Sequence, residues 1–289
     1  MIPNNNLSVL PFYTSINQQN ARKWWLYNRI YPLYAPASTL LPFQIVYSVA
    51  RVDPLEYFRI YTAKGVLVGD FTQQIIDAGF TVLTRGAFTY AIYPGNAQAF
   101  TNLDNGQYYI ALKLLNRNYV YSEIFTVVND IEPYLRIQWW DVENFVMDAG
   151  TIIYKYGNNS QFKNTIYLPS DLAKPEYVFE EEGETRDGYF FPTKQISEKR
   201  YRFSFLASEF LLDVMRFIRM ADFAEIYYHG DTYSLDTFLI TPEWESAGDV
   251  AVVQAEFDTA TVAKKLGVGY IKALRGDYND DFNNDYDVN

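Results

Sequence analysis

The sequence contains no cysteine and a single histidine, His229, among its 289 residues. The absence of cysteine excludes disulfides, thiolate nucleophiles and every zinc site built on cysteine ligands. A histidine-based triad or a site with several histidine ligands would need residues from another chain. The sequence also lacks the G-x-S-x-G pattern of a serine nucleophile and the GK[ST] pattern of a phosphate loop. We therefore expect no enzyme, no catalytic residues, no cofactor and no metal site.

Long apolar segments are also missing. No run of about 18 apolar residues occurs, and the first residues, MIPNNNLSVLPFYTSINQQ, have no basic region followed by an apolar block. We therefore expect neither a membrane span nor secretion.

Basic residues are in the minority, with 24 Lys and Arg against 35 Asp and Glu, so that the net charge is −11. Proteins that grip nucleic acids need clustered basic side chains to neutralise phosphates. This balance argues against a nucleic-acid binder, although an acidic surface can face DNA without holding it.

Aromatic residues are abundant instead. They make up 18% of the chain, with 26 Tyr and 21 Phe. These residue types favour strands, and their large rings supply contact area at subunit interfaces. The composition therefore indicates a mainly β protein that assembles with others.

Residues 1–42 form a predicted N-terminal arm that is rich in Asn, Gln and Pro. Its middle part places four aromatic residues close together, and we regard them as candidate subunit-interface residues: Trp24, Trp25, Tyr27 and Tyr31. Packing of the two Trp side chains on their own domain remains an alternative.

Residues 43–128 predict an immunoglobulin-like β-sandwich, in architecture only. Short β-branched and aromatic runs alternate with Gly, Pro, Asn and Asp at hairpin spacing. One helix is expected at 72–79, where Gly79 would end it.

A second β-rich domain is predicted at 131–268, after the break at 129–133. Its one amphipathic helix is expected near 208–222, with Ser208 as N-cap and Phe210, Leu211 and Val214 on the buried side. A hairpin turn is expected at 229–231. Residues 269–289 are strongly acidic and have no periodicity, so we expect a flexible tail.

The most unusual stretch is EEEGETRDG at 180–188, which has five carboxylates, one arginine and two glycines in nine residues. A catalytic pair of carboxylates would need two sites of different burial, whereas this stretch has the composition of a solvated hairpin tip with turns at Gly183 and Gly188. We regard Glu180, Glu182 and Arg186 as candidate subunit-interface residues, whose charges would set the register with a neighbour.

The acidic tail resembles the first half of a calcium loop at Asp277, Asn279 and Asp281, but Phe282 and Val288 replace the glycine and the bidentate glutamate that such a loop needs. A disordered tail is the preferred interpretation. Its aspartates are candidates for an acidic lumen or tail surface: Asp277, Asp280, Asp281, Asp285 and Asp287.

Two long stretches resemble a known family. PEYVFEEEGETRDGYFFPTKQISEKRYRFSFLASEFLLDVMRFIRMAD and DTYSLDTFLITPEWESAGDVAVVQAEFDTATVAKKLG look like a module of structural proteins in phages and prophages of Bacteroidetes. LDNGQYYIALKLLNRNYVYSEIFTVV is similar to the β-sandwich that precedes this module. The resemblance is to tail or neck ring proteins of crAss-like, short-tailed phages.

This resemblance implies a location in the virion tail, with assembly in the cytoplasm of the bacterial host. It implies a cyclic ring of identical copies that matches the twelvefold symmetry of a portal, in contact with neighbouring tail, collar or portal proteins. DNA would pass through the ring without sticking, and no membrane would be involved. A receptor- or glycan-binding tail module, and a hub or baseplate component, are the alternatives.

Overall fold

The computed structural model describes residues 8–16, 33–95, 102–143, 145–147, 150–152, 155–156, 160–244, 250–259 and 263–266. These residues form mainly β-strands in several sheets, together with two short α-helices. The prediction of a mainly β protein is thus confirmed. In the described part of the chain, no helix is long and apolar enough to cross a membrane.

The first module consists of ten strands in the described residues up to 128. They are β1 (Phe12–Tyr13), β2 (Tyr34–Pro36), β3 (Phe43–Tyr47), β4 (Leu55–Thr62), β5 (Leu67–Asp70), β6 (Thr81–Arg85), β7 (Phe88–Tyr93), β8 (Gly106–Leu114), β9 (Val120–Ser122) and β10 (Phe125–Val128). In the larger sheet, β4 lies along one edge of β8 and β5 pairs with β4, while β9 and β10 share the other edge of β8. The smaller sheet has the order β3-β7-β6.

The two sheets of the first module enclose an aromatic core. Phe43 of β3 stacks on Phe58 of β4, with the ring centroids 6.3 Å apart. The Phe43 ring also contacts Phe12 at 4.9 Å and Tyr93 at 5.6 Å. Because Phe43 and Phe58 belong to different sheets and are both fully buried, the sheets pack face to face, as in a sandwich.

The described ends of the predicted arm are part of this module, which corrects the expected boundary at residue 42. β1 pairs antiparallel with β9, and β2 pairs parallel with β10. Val9, Leu10 and Leu33 are buried in the core. Short apolar segments gain burial by joining open strand edges, which explains why these residues do not stay apart as an arm. The candidate residues Trp24, Trp25, Tyr27 and Tyr31 lie outside the described residues.

The helix predicted at 72–79 is confirmed as α1 (Thr72–Asp77). Gly79 has a φ of 98°, in the left-handed region. The N–H groups of Gly79 and Phe80 donate to the carbonyl oxygens of Ile76 and Ile75, both at 3.0 Å. This pattern is the Schellman end of a helix, in which glycine adopts the left-handed conformation without a steric cost.

The second module contains the remaining strands. They are β11 (Leu135–Trp140), β12 (Phe145–Met147), β13 (Gly150–Ile152), β14 (Lys155–Tyr156), β15 (Ser160–Gln161), β16 (Asn164–Leu168), β17 (Glu176–Arg186), β18 (Tyr189–Ser208), β19 (Phe223–Tyr228), β20 (Asp231–Ser234), β21 (Leu239–Trp244), β22 (Val250–Asp258) and β23 (Ala263–Leu266). One sheet has the order β16-β11-β19-β20, and another has the order β17-β18-β22-β21, with β23 also paired to β18. Two small hairpins join β12 to β13 and β14 to β15.

The amphipathic helix predicted near 208–222 is shorter than expected. It comprises α2 (Glu209–Met215) and a following 3-10 turn, Arg216–Met220. Phe210, Leu211 and Val214 are buried, as their helical spacing predicted. The Ser208 backbone is extended, as at an N-cap, but its hydroxyl makes no capping hydrogen bond. Ser208 instead lies buried at the end of β18. The predicted position of the cap is therefore confirmed, whereas the prediction of a capping hydrogen bond from the Ser208 side chain is wrong.

The hairpin turn predicted at 229–231 is confirmed. His229 and Gly230 connect β19 to β20, and their φ values of 48° and 86° are both positive. Two consecutive residues with positive φ form the type I′ turn that joins tightly paired strands.

We predict that Gly79→Ala lowers the free energy of unfolding by about 1–2 kcal/mol, because alanine at a φ of 98° is strained. Urea unfolding at neutral pH measures this loss. Gly79→Asn is the matched control and should lose less, since asparagine tolerates the left-handed region better. Equal stability of the alanine variant and the wild type would contradict the prediction.

Candidate assembly surface

The acidic stretch 180–188 lies at the end of a long hairpin, formed by β17 and residues 189–200 of β18, which we call the acidic hairpin. Its turn consists of Asp187 and Gly188, with φ values of 51° and 83°. The expected turn at Gly188 is confirmed. Gly183 is not in a turn: it continues β17 at an irregularity, where the pairing register shifts between Glu182 and Gly183. A bulge of this kind accommodates an extra residue in one strand without ending the pairing.

The acidic hairpin is anchored in the core of the second module through β18. Beyond the hairpin, β18 continues to Ser208 and pairs with β22 from Arg200 onwards. Tyr201, Phe203 and Phe205 alternate along this part of the strand and are buried. The same strand therefore has a buried half that holds it in place and an outer half that carries the hairpin.

Four aromatic side chains of the acidic hairpin are largely exposed. Tyr177 is 71% exposed, Phe179 60%, Tyr189 72% and Phe190 51%. They form two pairs, Tyr177 and Phe179 near the base of the hairpin and Tyr189 and Phe190 at its tip. Exposed aromatic side chains of this kind are typical of protein contact surfaces. The composition predicted that aromatic residues serve assembly. The sequence pattern does not distinguish these four, because alternating aromatics in a strand are equally typical of a buried face.

The predicted interface residues of the acidic hairpin lie on one strand. Glu180 and Glu182 are both exposed on β17, and Arg186 closes the strand by pairing with Tyr189. The Glu182 carboxylate forms an ion pair of 2.8 Å with Lys194. Glu180 and Glu182 therefore lie near each other, whereas Arg186 lies at the tip end of the strand, beyond the irregularity at Gly183. The tail candidates Asp277, Asp280, Asp281, Asp285 and Asp287 lie outside the described residues.

An ionic cluster fixes the base of the acidic hairpin. Arg200 binds the Asp258 carboxylate with two hydrogen bonds, of 2.9 and 3.1 Å, and the Thr237 hydroxyl donates to the same carboxylate at 3.0 Å. Arg202 bridges Glu176 of β17 and Glu256 of β22, at 2.5 and 3.3 Å. These contacts join β17, β18 and β22 at the point where the hairpin leaves the module.

The hydrogen bonds from Arg200 lower the pKa of the Asp258 carboxyl, against the opposing effect of its burial, and the Thr237 hydroxyl lowers it further. A carboxyl whose pKa is lower in the folded than in the unfolded state stabilises the fold above its unfolded pKa of about 3.9. This stabilisation is lost as the pH falls from there through the folded-state pKa.

A second surface of interest is the outer face of the larger sheet of the first module. We call it the tyrosine face, and it consists of the partly exposed Tyr57, Tyr61, Tyr119 and Tyr121 around the buried Tyr109. The Tyr61 and Tyr109 rings stack with their centroids 5.3 Å apart. The Arg59 guanidinium lies 4.1 Å from the centroid of the Tyr57 ring, and Arg59 also forms an ion pair with Asp70. Stacked rings and a cation thus give this partly buried face a mixed polarity.

The Trp139–Trp140 pair does not form a platform. Trp139 is fully buried, whereas Trp140, the next residue in β11, stacks on Phe223 at 5.5 Å. The Lys163 ammonium lies 3.6 Å from the centroid of the Trp140 ring. Neighbouring residues of a strand point to opposite faces, which is why the two rings do not lie side by side.

Among the described residues, no group of three or more His, Cys, Asp or Glu side chains could hold a metal ion. Comparison with known proteins gives no match for this chain, either among protein-family models or among the curated proteins.

We predict that Asp258→Asn costs about 1.5–3 kcal/mol of stability at pH 7, where it removes charge-assisted hydrogen bonds. The difference from the wild type should shrink as the pH falls below about 4, because the wild-type carboxyl then becomes protonated. Urea unfolding at pH 7, 4 and 3 measures this difference.

Glu243→Gln is the matched control, since Glu243 is exposed on β21 and its loss should cost under about 0.5 kcal/mol at every pH. A difference between the wild type and Asp258→Asn that stays constant from pH 7 to pH 3 would contradict the role given to Asp258.

Proposed function

We propose that this chain is a structural subunit of a phage virion tail, which assembles into a cyclic ring of the portal-proximal tail barrel through which the genome and ejected proteins pass. The observation that carries the proposal is the acidic hairpin, which exposes four aromatic side chains while its base is fixed in a buried core. An element of this kind holds a neighbour at little entropic cost, because its backbone is already ordered. The resemblance of 175–222 and 231–267 to phage structural proteins supports the class of assembly.

The first module is, in this proposal, an immunoglobulin-like sandwich. The smaller sheet has the order β3-β7-β6, which corresponds to strands B, E and D of that architecture. The strands β5, β4, β8 and β10 follow each other in the larger sheet like C′, C, F and G. Strand order and sheet pairing support this assignment without any of the disulfide or tryptophan features of antibody domains.

The chain would act by assembly rather than catalysis, without a cofactor. Its most acidic stretch lacks the arrangement that acid–base chemistry needs, in which one carboxyl is buried in an apolar site and the other is solvated. Glu180, Glu181 and Glu182 are all exposed. Glu181 accepts a hydrogen bond of 2.5 Å from Gln195, and Glu182 pairs with Lys194. These contacts organise a sheet surface.

The net charge of −11 has a use in this setting. An acidic lumen repels DNA phosphates, so that the genome can move through the ring without binding to it. We propose that the aspartates of residues 277–287 contribute to this acidic surface. The ring would lie in the virion tail, between the portal and the tail tip, after assembly in the cytoplasm of the bacterial host.

The test of this proposal is the copy number of the chain in phage particles. Quantitative peptide mass spectrometry of gradient-purified particles should give a ratio to the portal protein of one or a small whole number. A major capsid protein measured in the same sample is the control for recovery. Absence of the chain from purified particles would end the virion proposal.

We predict that replacing Asp277, Asp280, Asp281, Asp285 and Asp287 by Lys slows genome ejection, because a basic lumen surface attracts phosphates. Replacement of the same five residues by Asn is the control, since it removes negative charge without adding an attraction for phosphates. Ejection is measured as DNA release in vitro and as infectivity. Unchanged ejection in the Lys variant, in particles that contain the ring, would overturn the role proposed for these residues.

The tyrosine face favours a second candidate, a receptor- or glycan-binding tail module, because stacked tyrosines beside a cation suit the faces of sugar rings. Glycan-array binding that is lost in Tyr57→Ala and kept in Tyr177→Ala would support this candidate. A ring-forming chain that binds no glycan supports the first proposal.

A hub or baseplate component would form a ring of lower symmetry than the portal.

A further inference from the structure

The outer half of the second module's larger sheet is three strands wide, and its two edges carry opposite charges. β17 and β23 both pair with β18, along its two opposite edges. β17 contributes Glu180, Glu181 and Glu182, and β23 contributes Lys264 and Lys265. One edge of this narrow sheet is therefore acidic and the other basic.

The oppositely charged residues also occupy the same rows of the sheet, where a row is the set of residues that are paired with one another across neighbouring strands. Gln195 of β18 pairs with Glu181 on one side and with Lys265 on the other. In the adjacent row, Ile196 pairs with Glu180 and with Lys264. Each row thus begins with a glutamate at one edge and ends with a lysine at the other. Residues of one row belong to the same face of the sheet, since side chains alternate along each strand and not across it.

Both edges are open in the described chain. No other described strand pairs with the outer side of β17 or of β23. β17 is eleven residues long and carries the exposed side chains of Tyr177 and Phe179 near its start. A long open edge is a site of pairing with another chain. Because β17 and β23 are each antiparallel to β18, they run parallel to one another.

We propose that β17 of one copy pairs in parallel with β23 of the next copy, so that the sheet continues around a ring. This inference rests on the proposed function, and it names the surface that joins the subunits. If neighbouring copies are related by a rotation about an axis parallel to the strands, the strands keep their direction and each row keeps its position along that axis. It brings Glu181 of one copy beside Lys265 of its neighbour and Glu180 beside Lys264. A stagger of two residues, the smallest that keeps every residue on its face, brings Glu182 beside Lys264 instead.

The charges also select this arrangement over others. Two β17 edges would place glutamates against glutamates, which disfavours the symmetric dimer that an open edge otherwise invites. A contact between two different edges is heterologous, and it closes into a ring when its rotation permits. With three strands from each copy, about six copies or more would supply the roughly 16–18 strands at which closed barrels enclose an open channel.

Cysteine cross-linking tests this contact directly, because the chain has no cysteine of its own. Two double variants cover the two registers: Glu181→Cys with Lys265→Cys, and Glu182→Cys with Lys264→Cys. Within one copy, two strand spacings of about 4.8 Å separate each pair, which exceeds the span of a disulfide. Mild oxidation should therefore give a ladder of linked copies on a denaturing, non-reducing gel, in at least one double variant.

The matched control combines Glu181→Cys with Thr241→Cys. Thr241 is exposed on β21, at the other end of the same sheet order, and this variant should give no ladder. If neither of the two edge-to-edge variants gives a ladder while the purified protein forms rings by light scattering, the edge contact is wrong and the proposed function stands. If the wild-type chain stays a monomer at every concentration and is absent from particles, the proposed function itself fails.

Charge reversal supplies an independent readout. Glu180→Lys with Glu181→Lys should raise the concentration needed for assembly by about tenfold or more, because lysines then face lysines across the contact. Adding Lys264→Glu and Lys265→Glu should restore assembly to within about threefold of the wild type. Circular dichroism and thermal unfolding confirm that each variant is folded. If the variant with all four substitutions is folded but assembles as poorly as the variant with two, the proposal is overturned.

Discussion

The continuous pairing of β18 is the constraint on which the second module depends. Its inner half buries Tyr201, Phe203 and Phe205 against the core, and its outer half forms the acidic hairpin with β17. A strand cannot change the face of its side chains without an irregularity. The packing of the core therefore dictates which face each hairpin residue occupies as far as the bulge at Gly183. Beyond the bulge the alternation shifts by one residue, and this shift re-aims the tip residues Tyr189 and Phe190.

The base of the hairpin shows how this rigidity is maintained where burial ends. Arg200 and Arg202 occupy the transition from the buried to the exposed half of β18, and each binds a carboxylate of an adjacent strand. The Arg200–Asp258 pair is mostly shielded from water on the carboxylate side, so it is screened less than a surface pair. The Arg202 contacts are exposed, so they orient the adjacent strands more than they contribute to the free energy of folding. Together they replace hydrophobic packing at a point where apolar side chains would be left in solvent.

Much of the fold was predictable where one residue determines the local geometry. Gly79 ends a helix, His229 and Gly230 form a hairpin turn and Gly188 forms another, since in each case the chain needs a positive φ. The period-two alternation of a strand likewise accounts for the different environments of Trp139 and Trp140. Features that depend on distant partners were not predictable. The pairing of β1 with β9 and of β2 with β10 depends on edges more than 80 residues away along the sequence, and the bulge at Gly183 depends on the opposite strand.

The candidate site was predictable in part for the same reason. The charge of 180–188 identified Glu180, Glu182 and Arg186 as interface candidates. The rows that join Glu180 to Lys264 and Glu181 to Lys265 became visible only once Ile196 and Gln195 were placed between β17 and β23. No local pattern links a glutamate at 181 to a lysine 84 positions later. The relation exists only in the register of the sheet, which long-range pairing creates.

The order of residues along β17 explains how one edge can serve both the separate chain and an assembly. Tyr177, Val178 and Phe179 form the kind of apolar, β-prone segment that aggregates when exposed on an edge, and the glutamates follow it immediately. In a separate chain those charges repel a second β17 edge, so they protect the segment from pairing with itself. In the proposed contact with β23 the same charges would meet lysines at equal height, so repulsion would become attraction only for the partner edge that carries the opposite sign. In the proposed ring, opposite charge on the two edges, rather than apolar area, is then the property that distinguishes ring closure from aggregation.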